Sequence, residues 1–174
     1  MQRQRGLTLI EACVVLVLLA ILVLAVASGM QSLLETRRLE GAATQLATDI
    51  QFIRTESVAR NQPLRLSFHA NAAGSCYVIH SGAADDCRCD AQGPAQCSGA
   101  ARELKTVMVA DSDNVRLQAN VSSVLFDPMH GTSSPTGTLR VIGAHGRAIH
   151  HVINIMGRTR SCSPQPAMSG YRPC

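Results

Sequence analysis

Gly6-Leu7-Thr8-Leu9-Ile10-Glu11 stands between a short basic leader, Met1 to Arg5, and an unbroken apolar run from Ala12 to Ala27. As helix, the 21 residues from Leu7 to Ala27 span about 31 Å, one bilayer core. A carboxylate near the start of such a helix costs roughly 2.5–3.5 kcal/mol on insertion scales. Glu11 therefore calls for a positive partner, and no basic residue lies in the apolar run. A secretory-signal reading finds small residues at Ala25-Val26-Ala27 before Ser28. It leaves a long run with a charge inside it. A plain membrane anchor fits the length and gives Glu11 no purpose.

The basic leader ending in Gly6, followed by Leu-Thr-Leu-Ile-Glu and a hydrophobic helix, resembles the type IV prepilin signature. The resemblance implies cleavage by a prepilin peptidase after Gly6 and methylation of Leu7. Glu11, then the fifth mature residue, is expected to meet the positive N-terminus of a neighbouring subunit during assembly. The family usually has Phe where this chain has Leu7. Arg3 and Arg5 precede the apolar run and no charge follows it until Glu35. Positive-inside bias then holds the N-terminus in the cytoplasm and puts the head outside the inner membrane.

The expected organisation is a leader at 1–6, a transmembrane helix at 7–28, an amphipathic continuation at 29–60 and a β-rich periplasmic head at 61–174. In the continuation, Leu39, Ala43, Leu46, Ile50 and Ile53 recur at helical spacing. Arg38, Glu40, Thr44, Asp49, Arg54 and Glu56 occupy the opposite positions. Gly29 and Gly41 weaken the helix locally and mark candidate bends. Asn61-Gln62-Pro63 ends it, because a residue before proline is pushed out of the helical region. Strand patterns follow at 64–69, 76–80, 104–109, 115–119, 123–126, 137–142 and 147–155. The fold class is α+β, a long N-terminal helix packed on an antiparallel β-sheet head. With no Trp and three Phe, its core is aliphatic.

Seven cysteines in 174 residues argue for an oxidising compartment. Cys13 lies in the apolar run, leaving Cys76, Cys87, Cys89, Cys97, Cys162 and Cys174 for disulfides. The first four lack the paired Cys-x-x-Cys knuckles of a zinc site. Cys87 and Cys89 are too close in sequence to bond each other without strain, which leaves two connectivities open. Cys162 and Cys174 would close a loop of about a dozen residues, worth about 2–3 kcal/mol on the chain-entropy model.

Charge is segregated along the chain. No acidic side chain follows Asp127 in the last 47 residues, which carry Arg140, Arg147, Arg158, Arg160 and Arg172. Fifteen of the sixteen Lys and Arg residues are Arg, the planar group suited to phosphates. In Gly157-Arg158-Thr159-Arg160 the two arginines, at alternate positions of an extended chain, project to one side about 6.5–7 Å apart. That geometry suits contact with a nucleic-acid backbone rather than base readout. His145 and His150-His151 do not form a metal site on an alternating strand. No nucleophile elbow and no phosphate-binding glycine loop occur. No enzyme, cofactor or metal is expected.

The signature, the β-rich head and the Gly-Arg-Thr-Arg before the C-terminal tail together resemble the GspH/FimT family of minor pseudopilins. The FimT branch implies non-specific DNA binding through the arginine motif and a part in DNA uptake during natural transformation. Arg158, Arg160 and Gly157 would carry it, with Arg172 and Arg147 contributing less. Major and minor pilins, the prepilin peptidase and the inner membrane are the other implied partners. The same architecture also serves purely structural pseudopilins of pilus priming or type II secretion. Mass spectrometry of the mature protein should find N-methylated Leu7 as its first residue; a start at Ser28 would restore the secretory-signal reading. Replacing Glu11 by Gln should leave cleavage intact and impair incorporation into filaments.

Overall fold

The computed structural model describes residues 8–71, 74–90, 94–165 and 167–174, with the side chains of 25–28 left aside. The expected cleavage and methylation positions, Gly6 and Leu7, lie outside the described residues. Helix α1 (Leu9–Arg60) runs through Gly29 and Gly41 without interruption, and neither glycine has a neighbour that a side chain would meet. It stops where the proline rule places the stop. Asn61 adopts the left-handed conformation (φ 48°), and the Gln62 N–H donates to the Ser57 carbonyl at 3.1 Å. From Leu9 to Leu24 the side chains are exposed, so this half finds no cover within its own chain. Its best 18-residue window has a mean hydropathy of 3.2, long and apolar enough to cross a membrane.

The second half of α1 does the opposite. Leu39, Ala43, Leu46, Ile50 and Ile53 are each 1% exposed or less. Two antiparallel sheets share this stripe. The strands are β1 (Leu64–Asn71), β2 (Gly74–His80), β3 (Cys87–Arg88), β4 (Gln96–Cys97), β5 (Glu103–Ala110), β6 (Arg116–Ala119), β7 (Ser123–Phe126), β8 (Ser133–Ser134), β9 (Gly137–Ile142), β10 (Ala148–Ile153) and β11 (Thr159–Cys162). One sheet has the order β5-β2-β1-β7-β8 and the other β11-β10-β9-β6; β3 and β4 form a separate small ribbon. Leu64, Leu66, Ile79, Val124 and Phe126 from the first sheet join Leu117, Leu139, Val141, Ile149 and Ile153 from the second in one core around the helix.

The seven strands expected from sequence all form, with β10 ending at Ile153 rather than 155. The head is two sheets where the sequence suggested one. Strand β11 and the two-residue strands β3, β4 and β8 carry too little apolar alternation to be read beforehand.

Asp49 departs from its expected solvent-facing place. It is 2% exposed, wedged between α1 and the first sheet. Its Oδ1 lies 2.7 Å from Nζ of Lys105, and its Oδ2 accepts from the Tyr77 hydroxyl at 2.7 Å and from Gln45 Nε2 at 3.0 Å. Burial, followed by the hydrogen bond to Asp49, raises the Tyr77 phenol well above its ordinary pKa, so it remains a donor. The chain's one lysine is therefore spent inside the fold. Asp49→Ala would leave the Tyr77 hydroxyl buried without an acceptor and Lys105 without its counter-ion. Urea titration of this variant should show a loss of about 2–4 kcal/mol, with Asp49→Asn losing less.

Candidate nucleic-acid interface

The arginine motif closes a hairpin between β10 and β11. Val152 pairs with Arg160 and Ile153 with Thr159, and residues 154–158 make the turn. Gly157 takes φ +66°, and its N–H donates to the Asn154 carbonyl at 2.9 Å. The Asn154 side chain accepts the Arg158 N–H at 2.9 Å. The turn is also pinned from outside, because Ser133 donates its hydroxyl to the Asn154 carbonyl (2.7 Å) and its N–H to the Ile155 carbonyl (2.9 Å). A Cβ on Gly157 would stand 3.0 Å from the Gly131 carbonyl oxygen and 3.1 Å from Arg54 Nε. The glycine is required by both its backbone conformation and the space around it.

Arg158 and Arg160 are exposed, Thr159 between them is half-buried, and among the described residues no carboxylate pairs with either arginine. The nearby Asp127 is engaged locally: its Oδ1 accepts the N–H groups of Met129 (2.7 Å) and His130 (3.1 Å). These bonds, that from His130 foremost, hold its carboxyl below the usual range. Arg54 is a cation that sequence reasoning missed here. Its place on the polar side of the helix was legible, but only the fold slides its guanidinium beneath Gly157.

The hairpin sits at the head's far end from the anchor. Gly143, at the β9–β10 connection, lies against Leu39, whereas Gly157 lies against Arg54. Fifteen residues of α1 separate those contacts, about 22 Å.

All three expected disulfide groupings resolve. Cys162 bonds Cys174, and of the two open connectivities the fold selects Cys76–Cys89 with Cys87–Cys97. Cys87 and Cys97 are direct cross-strand partners on β3 and β4, which decides the choice. The tail bridge is reinforced by Ser163, whose N–H donates to the Arg172 carbonyl at 2.9 Å. Arg172 is thus fixed near β11 and exposed. The sulfurs of Cys162 and Cys174 group with His150, but tied to each other they offer no thiolate to a metal.

Arg147 does not join this cluster. Its side chain donates to Glu35 Oε2 at 3.2 Å and to the Thr36 hydroxyl, both on α1, so its charge is neutralised on the helix-facing side. Alternation explains this: Arg147 has the parity of the buried Ile149 and His151, opposite to His150 and Val152. His151 is 1% exposed, bonds Ser161 Oγ through Nδ1 at 2.9 Å and sits near the Ala43 backbone without a partner for Nε2. Burial lowers its pKa to about 4, so it is neutral at physiological pH.

Residues 42–157 match the family described as type II transport protein GspH, and residues 1–27 match the prokaryotic N-terminal methylation motif. The chain belongs to the GspH family. It is a pilin-like minor subunit, with the prepilin processing, membrane anchoring and association with other pilins that the family and its motif imply. Two crystal forms of the Pseudomonas aeruginosa type IV minor pilin FimU share the fold at 18% identity. Their TM-scores are 0.53 and 0.52, covering 73% and 72% of this chain and 92% and 97% of theirs. No curated protein matches the sequence significantly. Among the described residues, no basic side chain reaches the GspH-family chain's Glu11, which is exposed in the first turn of α1.

Gly157→Ala would force a side chain into the left-handed region against the Gly131 carbonyl, at a cost of about 1–2 kcal/mol. Thermal unfolding should drop by a few degrees, and amide exchange of 154–160 should accelerate more than that of β1 or β2.

Proposed function

We propose that this GspH-family subunit is a FimT-like minor pilin that binds duplex DNA without sequence preference and contributes to DNA uptake in natural transformation. The observation that carries the reading is the hairpin at the distal end of the head. Two exposed guanidinium groups stand there on a backbone held by Ser133 on one side and the Cys162–Cys174 bridge on the other. They lie in a stretch that has no acidic side chain. A backbone held in this way presents both forks to phosphates without having to be ordered itself, and the counterions released supply the affinity. In this reading the protein acts by binding, not catalysis. A single pass through the inner membrane carries the head outside, where the cell's other pilins place it in a filament.

The test is a gel shift with the purified protein in detergent micelles. Binding should be micromolar or weaker and fall steeply with salt. Arg158→Gln with Arg160→Gln should remove most of it while thermal stability stays unchanged. Equal binding by that double variant would reject the motif. No binding by the parent at low salt would favour a purely structural subunit, the reading that the type II transport description of the family supports.

A further inference from the structure

The outward face of the β11-β10-β9-β6 sheet carries charge that the hairpin motif does not include. Register sorts its residues without ambiguity. Arg160 stands opposite Val152, and His150 stands opposite both Cys162 and Arg140. Arg140 in turn stands opposite Gln118, and Arg116 opposite Ile142. Directly paired residues of antiparallel strands project to the same side. Arg116, Gln118, Arg140, His150, Val152, Cys162 and Arg160 therefore share one face. The intervening Leu117, Leu139, Val141, Ile149, His151 and Ile153 are buried on the other.

On this face Arg116, Arg140 and Arg160 fall on a diagonal. Each step toward β11 also moves along the strands toward the hairpin. With strands about 4.8 Å apart and residues about 3.3 Å apart along each, Arg116 lies about 8 Å from Arg140. Arg140 lies about 12 Å from Arg160, and the whole line is about 20 Å long. All three are exposed. A face that serves only solubility mixes both signs, yet no Asp or Glu occupies any of these register positions. Among the described acidic side chains, Asp111 alone forms an ion pair with one of these arginines, at 3.8 Å from Arg116, and it is half exposed. Burial and the adjacent Arg140 lower the His150 pKa, so the charge of the track at neutral pH is that of the arginines.

We propose that Arg140 and Arg116 extend the DNA site from the hairpin across the outer sheet, so that the duplex lies obliquely over the head rather than touching only its tip. This rests on the DNA-binding reading above. A track of about 20 Å spans more than half a helical turn of about 34–36 Å, so the backbone is met at the hairpin and again across the sheet. The stems of the arginines supply the adjustment that a rigid sheet lacks. The contacts are to phosphates and are sequence-independent.

The experiment measures duplex binding against salt for the full-length protein in micelles. Arg116→Gln with Arg140→Gln should weaken binding at least fivefold. It should also lower the salt slope by nearly two, since each lost phosphate contact removes about 0.9. Lysine at both positions should restore binding to within a fewfold, which loss of folding would not. Arg88→Gln with Arg102→Gln, an equal charge change beside the other sheet, should stay within twofold of the parent. If the sheet variant binds like the parent while the Arg158/Arg160 variant does not, the track is wrong and the hairpin reading stands. If the control loses as much as the sheet variant, net charge explains the effect and the track is again wrong. A parent that binds no DNA at low salt overturns both readings.

Discussion

One apolar stripe on one helix organises this molecule. Leu39, Ala43, Leu46, Ile50 and Ile53 form a wall that both sheets use as the floor of their core. With no Trp, and with Tyr77 and Phe126 of the first sheet the only fully buried aromatics among the described residues, most of the inward area of both sheets is aliphatic and lies against the helix. Each packs against the helix, and the helix is the same one that enters the membrane. Head and anchor thereby share one continuous helix rather than being two parts joined by a linker.

Polar clamps of the same sense, acid on the helix and base on the sheet, fix how the sheets sit on that wall. On the first sheet, the helix supplies the acid, Asp49, and the strands supply Lys105 and Tyr77. On the second, the helix again supplies the acid, Glu35, and the sheet supplies Arg147. A buried or half-buried ion pair adds little net stability, but its directionality sets the rotation and height at which each sheet docks. Because the strands of the second sheet run beside α1, its β9–β10 connection lies near Leu39 and its hairpin near Arg54. The hairpin then lies toward the end of α1 that is away from the anchor. Its disulfides act at the periphery, holding the small ribbon to β2 and the tail to β11.

Much of this was legible in the residues. The helical stripe, the seven main strands, the end of α1 at Asn61 and the pairing of Cys162 with Cys174 follow from periodicity, proline geometry and elimination. Two departures from the sequence reading share a cause. Asp49 was placed with the solvent-facing residues because it is charged, and Arg147 with the arginines of the motif because it is near them in sequence. Both are governed by a partner far along the chain, Lys105 and Tyr77 for one, Glu35 for the other. Strand β11 was read only as extended chain at its arginines, for a related reason: Thr-Arg-Ser-Cys has no apolar alternation of its own and pairs on the edge of β10.

The sequence by itself determined the apolar N-terminal helix, the fold class, the cysteines available for disulfides and the polarity of charge along the chain. Those properties depend on local periodicity, composition and spacing, which need no folded context. Only the tertiary structure decided which cysteines of the loop pair and which arginines share a face. It also decided that Arg54 slides under the hairpin and that Arg147 is neutralised. Such facts depend on strand register and on the side of the sheet that meets the helix. A shift of one residue would exchange every inward and outward side chain, and only packing of the whole core selects among those alternatives.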